Sequence, residues 1–382
     1  MSVKLRLTGA EVLGANGLEA RDLGICDGLL QSDTDAREID LSDYMICPAF
    51  VDIHGDGFER HLAPRRGVLK DLGQGLASSD AELASNGIGT AVLAQFFSWE
   101  GGMRGTEFAA RFLAAHHAAQ MLTDTRVQLR FETHLLAQYA EFEALVAEYD
   151  VPYVVFNDHL PHAALAKGKK PPRLTGQALK SGRSPEAHLA LLQKLHAQSD
   201  AVTAALPELA ARLSARGVRL GAHDNETAEQ VQGFHELGAS IGEFPVTREA
   251  AEAHRAVGAP VILGSPNVVR GGSHSGRLSA AELIADGLCN ALASDYHYPA
   301  MKQAVFRLVD EGVASLAQAW ALVSSGPAGI LGLTDRGEIA AGLRADLVIL
   351  RKETRQIEAT VVGGNITYMS GGAAQRFLAP PL

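Results

Sequence analysis

The chain has 382 residues, of which 47% are hydrophobic and 20% charged, and its formal net charge is −10. This length and composition predict a globular α/β protein with one large domain, or one large and one small domain. The acidic balance argues against a nucleic-acid-binding protein, which needs a basic surface. No stretch looks like a signal peptide or a membrane span, so no membrane partner is expected.

The number and spacing of the cysteines indicate the cellular compartment. The three cysteines, Cys26, Cys47 and Cys289, are far apart and odd in number. This spacing excludes a disulfide framework and a zinc ribbon, and it is typical of proteins in the reducing cytoplasm. We therefore expect a cytoplasmic protein.

Both ends of the sequence indicate β-structure. Residues 3–7 alternate between apolar and polar side chains, and turn-forming residues recur through residues 13–35. Near the other end, the apolar run Leu347–Leu350 is followed by a strand pair around Gly363-Gly364-Asn365. These patterns predict that residues 1–47 and 335–382 form one small β-domain.

Residues 48–334 alternate apolar strand segments with helical segments. The predicted strands are Pro48–Ile53, Thr90–Ala94, Val127–Phe131, Tyr153–Phe156, Val218–Ala222, Ser240–Phe244, Pro260–Leu263 and Asn290–Ser294. Helical spacing is found at Glu141–Glu148, Pro185–His196, Thr227–Glu236 and Ala280–Asp286. Strands that alternate with helices form a parallel sheet, and eight of them favour a closed (β/α)₈ TIM barrel.

Side chains that can bind metals follow five of the predicted strands. They are His54 and Asp56, then Glu132 and His134, then Asn157, Asp158 and His159, then His223 and Asp224, and finally Asp295. The carboxyl ends of barrel strands meet at the face where such enzymes place their chemistry. Imidazole and carboxylate ligands suit zinc, manganese, iron or nickel, and a glutamate can bridge two such ions. Two ions would activate water for hydrolysis, and Asp295 could transfer its proton.

Several of these residues have simpler interpretations. His134 and Asp158 are interpreted as partners that orient metal ligands. Asp224 is such a partner or, alternatively, the cap of a helix that begins near Asn225. The remaining histidines are interpreted as surface or helix residues: His116, His117, His188, His196, His235 and His254.

A glycine-rich stretch after the seventh strand has the chemistry of a phosphate-binding loop. Arg270 stands among glycines that let the backbone approach a ligand, and Ser273 and His274 add donors. Arg60 and Arg65 follow the first predicted metal ligands and would face the same small anionic substrate. A plain glycine turn is the alternative.

The long connection between the fourth and fifth strands contains a basic segment, residues 167–183. A charge run of this kind is usually a solvated surface loop. The alternative is a flap that closes over the mouth of the barrel.

These motifs resemble the amidohydrolase superfamily and, within it, the PhnM-like family of ribose 1-methylphosphonate 5-triphosphate diphosphatases. The resemblance rests on Val51-Asp52-Ile53-His54-Gly55-Asp56, Arg270-Gly-Gly-Ser-His-Ser-Gly276 and Ser294-Asp295-Tyr296. It implies a TIM barrel with a small β-domain, catalysis by Asp295, and a chain that can form a homo-oligomer. It also implies two divalent metal ions, zinc before manganese, iron or nickel, held by His54, Asp56, Glu132, His159 and His223.

The sequence departs from the family pattern beside these positions. Gly55 and Gly57 stand where the family usually has threonine and asparagine, and His162 stands where it usually has glycine. The changed positions would line the substrate pocket, while the ligand positions match. We therefore expect a metal-dependent hydrolase that releases pyrophosphate in phosphonate metabolism. A C–N hydrolase of amides or cyclic amides is the alternative, and a non-catalytic scaffold ranks last because Asp295 and the ligands are present.

Overall fold

The structure is a computed structural model that describes residues 3–32, 34–63, 71–271 and 278–380. The predicted substrate-binding residues Arg65, Ser273 and His274 lie outside the described residues. The chain divides into two compact units. The first unit comprises Met1–Leu93, Ala119–Arg126 and Pro260–Leu382, and the second comprises Ala94–Ala118 and Val127–Ala259.

The amino-terminal part of the chain forms short strands. In the first of them Leu5 and Leu7 are buried while Arg6 is more exposed, which is the alternation expected of a half-buried strand. The strands are β1 (Leu5–Thr8), β2 (Glu11–Gly14), β3 (Gly17–Ala20), β4 (Leu23–Cys26), β5 (Leu29–Gln31), β6 (Arg37–Asp40) and β7 (Tyr44–Pro48).

Eight further strands form the sheet of the barrel. They are β8 (Phe50–Gly55), β9 (Ile88–Phe97), β10 (Asp124–Glu132), β11 (Tyr153–Asn157), β12 (Arg219–His223), β13 (Ile241–Glu243), β14 (Val261–Gly264) and β15 (Ala291–Ala293). Their order in the sheet is their order in the sequence, and neighbouring strands such as β10 and β11 are parallel. The predicted (β/α)₈ barrel is confirmed, because all eight predicted strands are present.

Helices alternate with these strands. They are α1 (Glu59–Leu62), α2 (Leu72–Ser85), α3 (Thr106–Ala118), α4 (Tyr139–Glu148), α5 (His162–Leu165), α6 (Leu174–Ser181), α7 (Pro185–His196), α8 (Ser199–Ala215), α9 (Ala228–Glu236), α10 (Arg248–Ala256), α11 (Ser265–Arg270), α12 (Ala280–Ala285), α13 (Ala300–Asp310), α14 (Leu316–Ala321), α15 (Ser325–Ile330) and α16 (Gly371–Leu378). Among the helices of the described ranges, none is long and apolar enough to cross a membrane.

Local signals explain where two of the predicted helices begin. Ser184 caps α7 through the N–H of Ala187, and proline occupies the first turn. Thr227 caps α9 in a capping box with Gln230. The alternative that Asp224 caps this helix is therefore wrong.

The small β-domain is built from both ends of the chain, as predicted. Three late strands, β16 (Leu347–Arg351), β17 (Ile357–Val362) and β18 (Asn365–Met369), join a sheet of order β18-β17-β16-β7-β2-β3. A second sheet has the order β5-β4-β1-β6. Fully buried residues from both ends share one hydrophobic core, including Leu7, Ile25, Ile46, Leu347 and Ile349.

Pro48 was predicted to begin the first barrel strand, and this is wrong. Pro48 ends β7, opposite Leu347 of β16, and the barrel strand β8 begins at Phe50. The main-chain oxygen of Pro48 accepts a hydrogen bond from Trp320 Nε1 at 2.9 Å. One apolar run thus crosses from the small sheet into the barrel, with Ala49 between its two strands.

Candidate active site

In the first unit, main-chain hydrogen bonds hold the ends of β8 and β15 together. The N–H of Asp295 donates to the oxygen of His54 at 3.0 Å, and the N–H of Asp56 donates to the oxygen of Asp295 at 2.9 Å. Asp295 has a φ of 55°, in the left-handed region that costs free energy in a residue with a side chain. The fold therefore imposes the position of Asp295 beside the strand that carries His54 and Asp56.

Asp52 stabilises this arrangement through hydrogen bonds with Ser294. Its side chain is fully buried and accepts hydrogen bonds from the Ser294 N–H at 2.9 Å and from Ser294 Oγ at 2.5 Å. Burial raises the pKa of Asp52, and the two bonds from Ser294 oppose that rise. Asp52 precedes His54 by two residues and Ser294 adjoins Asp295, a spacing that could have revealed both as positioning residues.

The two glycines of the first motif make room for neighbouring side chains. A Cβ atom on Gly55 would lie 2.6 Å from Asp52 Oδ2, 2.9 Å from Ser294 Oγ and 3.1 Å from the ring of Tyr298. A Cβ atom on Gly57 would lie 3.2 Å from the same ring. Tyr298 is fully buried, so it fills the space that larger residues at these positions would need.

Two predicted substrate-binding arginines contact Tyr296. Arg60 Nη1 donates to the main-chain oxygen of Tyr296 at 3.1 Å, and Arg60 also forms an ion pair with Glu82. Arg270, the last residue of α11, donates to the hydroxyl of Tyr296. The side chain of Tyr296 is 44% exposed, so this cluster borders solvent. Its role in binding an anion stays a prediction.

In the second unit, Glu132 is the centre of a polar cluster. Its fully buried carboxylate accepts hydrogen bonds from Trp99 Nε1 at 3.0 Å and from the N–H of His159 at 3.2 Å. His159 Nδ1 also contacts Glu132 Oε1. Burial opposes a charge on His159, but the carboxylates of Glu132 and Asp224 raise its pKa to about 10. The cluster therefore favours a positive charge at this place.

Asp224 joins the two predicted histidine ligands of the second unit. Its Oδ2 atom lies 2.8 Å from His223 Nδ1 and 3.4 Å from His159 Nε2. One ligand atom from each of the three residues lies within 4.8 Å of the others. Asp224 has a φ of 58°, again left-handed. The role of Asp224 in orienting ligands stays a prediction.

Two residues of the second unit were not predicted as part of the site. Trp99, just after β9, donates to Glu132. Glu243, at the end of β13, is fully buried and accepts from Gln128 Nε2 at 2.7 Å and from the Tyr153 hydroxyl at 2.6 Å. Its position at the carboxyl end of a strand was a usable signal for Glu243, whereas the sequence around Trp99 contains none.

His134 and Asp158, predicted to orient ligands, contact a different histidine. Asp158 lies 3.5 Å from His134 Nδ1 and 2.9 Å from His162 Nε2. His196, interpreted as a helix or surface residue, lies 2.7 Å from His162 through their Nδ1 atoms.

Two more of the histidines interpreted as surface or helix residues are buried helix residues. His188 of α7 and His254 of α10 are helical, but their side chains are buried. Burial lowers the pKa of both imidazoles. His254 contacts Asn225 Oδ1 at 3.1 Å through Nε2, so it packs as a neutral core residue.

The basic segment 167–183 is partly helical, and most of its lysines and arginines are exposed. It contains α6, which buries Leu174 and Ala178. Arg183 at its end donates to the main-chain oxygen of Trp99 at 2.9 Å. The segment thus contacts the residue that holds Glu132, and its closure as a flap stays a prediction.

Comparisons with known proteins agree with this architecture. The sequence profile of the amidohydrolase family matches residues 74–368. The chain is 33% identical over 325 residues to the alpha-D-ribose 1-methylphosphonate 5-triphosphate diphosphatase of Escherichia coli (strain K12), which covers 82% of this chain and 84% of the relative.

Two solved structures share the fold at low identity. A Xaa-Pro dipeptidase with bound methionine has a TM-score of 0.61 and 13% identity, covering 96% of this chain and 100% of its own. The N-acetylglucosamine-6-phosphate deacetylase of Pasteurella multocida has a TM-score of 0.59 and 12% identity, covering 95% of this chain and 99% of its own. The chain therefore belongs to the amidohydrolase family, as a PhnM-like hydrolase.

Proposed function

We propose that the protein is a metal-dependent diphosphatase that converts a ribose 1-phosphonate 5-triphosphate to the 5-phosphate and pyrophosphate, as a step of phosphonate catabolism. The observation that carries this proposal is the 33% identity to the diphosphatase over 82% of the chain. The strand ends supply the chemistry that such a reaction needs.

The donor set fits divalent metal ions. A buried carboxylate such as Glu132 is costly without a positive partner, and His159 and His223 with Asp224 form a group of ligand atoms within 4.8 Å. We assign His159, His223 and Glu132 of the second unit as ligands. For the first unit we propose His54 and Asp56 as ligands, and we propose two ions per chain. When bound, zinc or a related ion would lower the pKa of water and neutralise charge on phosphoryl oxygens.

Asp295 is the proposed acid and base. Water supplies the oxygen that bonds to phosphorus as the phosphoanhydride bond breaks. The Asp295 carboxylate accepts a proton from that water and returns it to the bridging oxygen of the departing pyrophosphate. Main-chain bonds to His54 and Asp56 hold its backbone at the end of β8, which supports this role.

Arginines are proposed to bind the triphosphate. Arg270 projects from the end of α11, before the glycine-rich stretch, and its guanidinium can form paired hydrogen bonds to phosphoryl oxygens. Arg60 lies beside the same Tyr296.

A C–N hydrolase is the second candidate. The observation that favours it is the pair Gly55 and Gly57, where the family usually has threonine and asparagine, together with Tyr298 in the space they leave. A changed first motif is consistent with a changed substrate.

A paired screen separates the two candidates. One arm measures pyrophosphate release from ribose 1-methylphosphonate 5-triphosphate and from ATP, and the other measures hydrolysis of amides and cyclic amides. Each arm includes zinc-loaded and manganese-loaded protein and the Asp295→Asn variant. We expect pyrophosphate release that requires Asp295. Amide hydrolysis without pyrophosphate release would replace the diphosphatase with the second candidate.

A further inference from the structure

We propose that the second unit contains an additional site for a divalent transition-metal ion, with His134, Asp158 and His162 as its ligands. One ligand atom from each of these residues lies within 4.8 Å of the others. Ligand atoms that share one zinc ion are about 3–4 Å apart, because each metal–ligand bond is about 2.0–2.2 Å long. The spacing therefore suits a single ion of this class.

The three ligands come from the connections that follow β10 and β11. His134 follows β10, Asp158 follows β11, and His162 begins α5. The N–H of Leu160 donates to Asp158 Oδ1 at 3.2 Å, which restrains this carboxylate. Asp158 and His162 lie four residues apart on one connection and His134 lies on another, so the cluster joins two segments of the fold.

The hydrogen bonds of His134 direct one ring nitrogen into the cluster. Ser199 Oγ donates its proton to the main-chain oxygen of His196 at 2.7 Å. Ser199 Oγ also lies 3.2 Å from His134 Nε2, and because its own proton is engaged it accepts the proton of that nitrogen. His134 Nδ1 then carries a lone pair and lies 3.5 Å from Asp158 Oδ1. A lone pair that faces a carboxylate is favourable when a cation lies between them.

His162 is oriented in the same way. Its Nδ1 lies 2.7 Å from His196 Nδ1, a partner outside the cluster of ligands. Its Nε2 faces both oxygens of Asp158, at 3.0 and 2.9 Å. A ligating histidine typically hydrogen-bonds through its other ring nitrogen, which determines the tautomer. Ser199 is such a partner for His134, and His196 is such a partner for His162.

A cavity beside the cluster gives an ion access. Its volume is about 830 Å³, and the three proposed ligands line it together with Val202, Leu206 and Phe234. Two imidazoles and one carboxylate would leave coordination positions for water or another ligand. In place of the orienting role expected from the sequence, His134 and Asp158 thus become ligands of a second site. This site does not depend on the proposed diphosphatase activity.

The test is a cobalt(II) titration of the full chain after chelator treatment, followed by absorption spectroscopy and metal analysis. We expect the His162→Gln variant to bind one equivalent fewer than the unaltered chain. The His196→Ala variant should bind the same number, with about 10–100-fold weaker affinity at one site. His117→Gln, an exposed histidine of α3, is the matched control and should leave the titration unchanged.

The outcomes are distinct. If the unaltered chain, His162→Gln and His196→Ala bind the same number of cobalt equivalents with the same affinity, the additional site is overturned. The contacts between His162 and Asp158 are then those of a protonated imidazole with a carboxylate. The His196→Ala variant keeps all three ligands, so it remains informative if His162→Gln does not fold. Pyrophosphate release is measured on the same samples. If the unaltered chain releases no pyrophosphate but His162→Gln binds one cobalt equivalent fewer, the diphosphatase proposal is refuted and the additional metal site stands.

Discussion

The two units hold their strand-end residues in different ways. In the first unit, main-chain bonds position Asp295 beside His54 and Asp56. In the second unit, the Glu132 carboxylate accepts hydrogen bonds from the Trp99 indole and the His159 N–H and contacts His159 Nδ1. Main-chain bonds persist whatever the protonation state of the side chains, whereas clustered carboxylates need a proton or a cation to balance them. The main-chain position of Asp295 is therefore independent of protonation, whereas the contact between Glu132 and His159 depends on it.

The largest expected effect comes from Asp295→Asn. The substitution keeps the main-chain bonds and the shape of the side chain but removes its ability to accept a proton. We expect pyrophosphate release to fall by about 10³-fold or more, with metal content unchanged. Asp200→Asn on the exposed face of α8 is the control. A near-normal rate for Asp295→Asn would show that Asp295 is not the catalytic acid and base.

Arg270→Ala tests whether the first unit also binds the anion. A hydrogen bond to a charged group contributes about 1.5–3 kcal/mol, so KM for the triphosphate should rise by about 10–100-fold, while kcat changes less. Steady-state kinetics measure both constants, and Arg111→Ala on α3 serves as the control because this arginine is exposed. An unchanged KM would reject the phosphate-loop interpretation.

Gly55→Ala challenges the packing that supports the main-chain bonds. The new Cβ would lie 2.6 Å from Asp52 Oδ2 and 2.9 Å from Ser294 Oγ. Overpacking of this kind lowers the free energy of unfolding by about 1–3 kcal/mol, which urea denaturation measures. Gly176→Ala is the control, because its Cβ would meet nothing within 4 Å and α6 tolerates alanine. Equal effects in both variants would mean that Asp52 and Ser294 can move apart freely.

Trp99→Phe tests the second unit. Glu132 loses the indole N–H that donates at 3.0 Å, so we expect metal affinity to fall about tenfold. Trp320→Phe is the matched control, because its indole N–H donates to the Pro48 oxygen at 2.9 Å, within the first unit. Isothermal titration with zinc compares the two. If both variants bind zinc as tightly as the unaltered chain, Trp99 does not orient Glu132.

The barrel and most of its strand-end residues could be predicted from the sequence. Strands buried on both faces leave continuous apolar runs, and polar residues where those runs stop are equally local signals. For this reason His54, Asp56, Glu132, His159, His223 and Asp295 were predicted at strand ends, and the structure places them there. The error at Pro48 has the same origin, since β7 and β8 form one apolar run and only pairing with β16 separates them.

Only the tertiary structure decided which side chains meet. Trp99 and Glu132 are 33 residues apart, His162 and His196 are 34 apart, and Asp52 and Ser294 are 242 apart. No periodicity or spacing links such pairs, because their contacts depend on strand order, loop paths and side-chain directions. The sequence by itself determined the barrel, the ligand types at its strand ends and the family. The structure decided that main-chain bonds hold Asp295, that His159 contacts Glu132 and Asp224, and that His134, Asp158 and His162 converge.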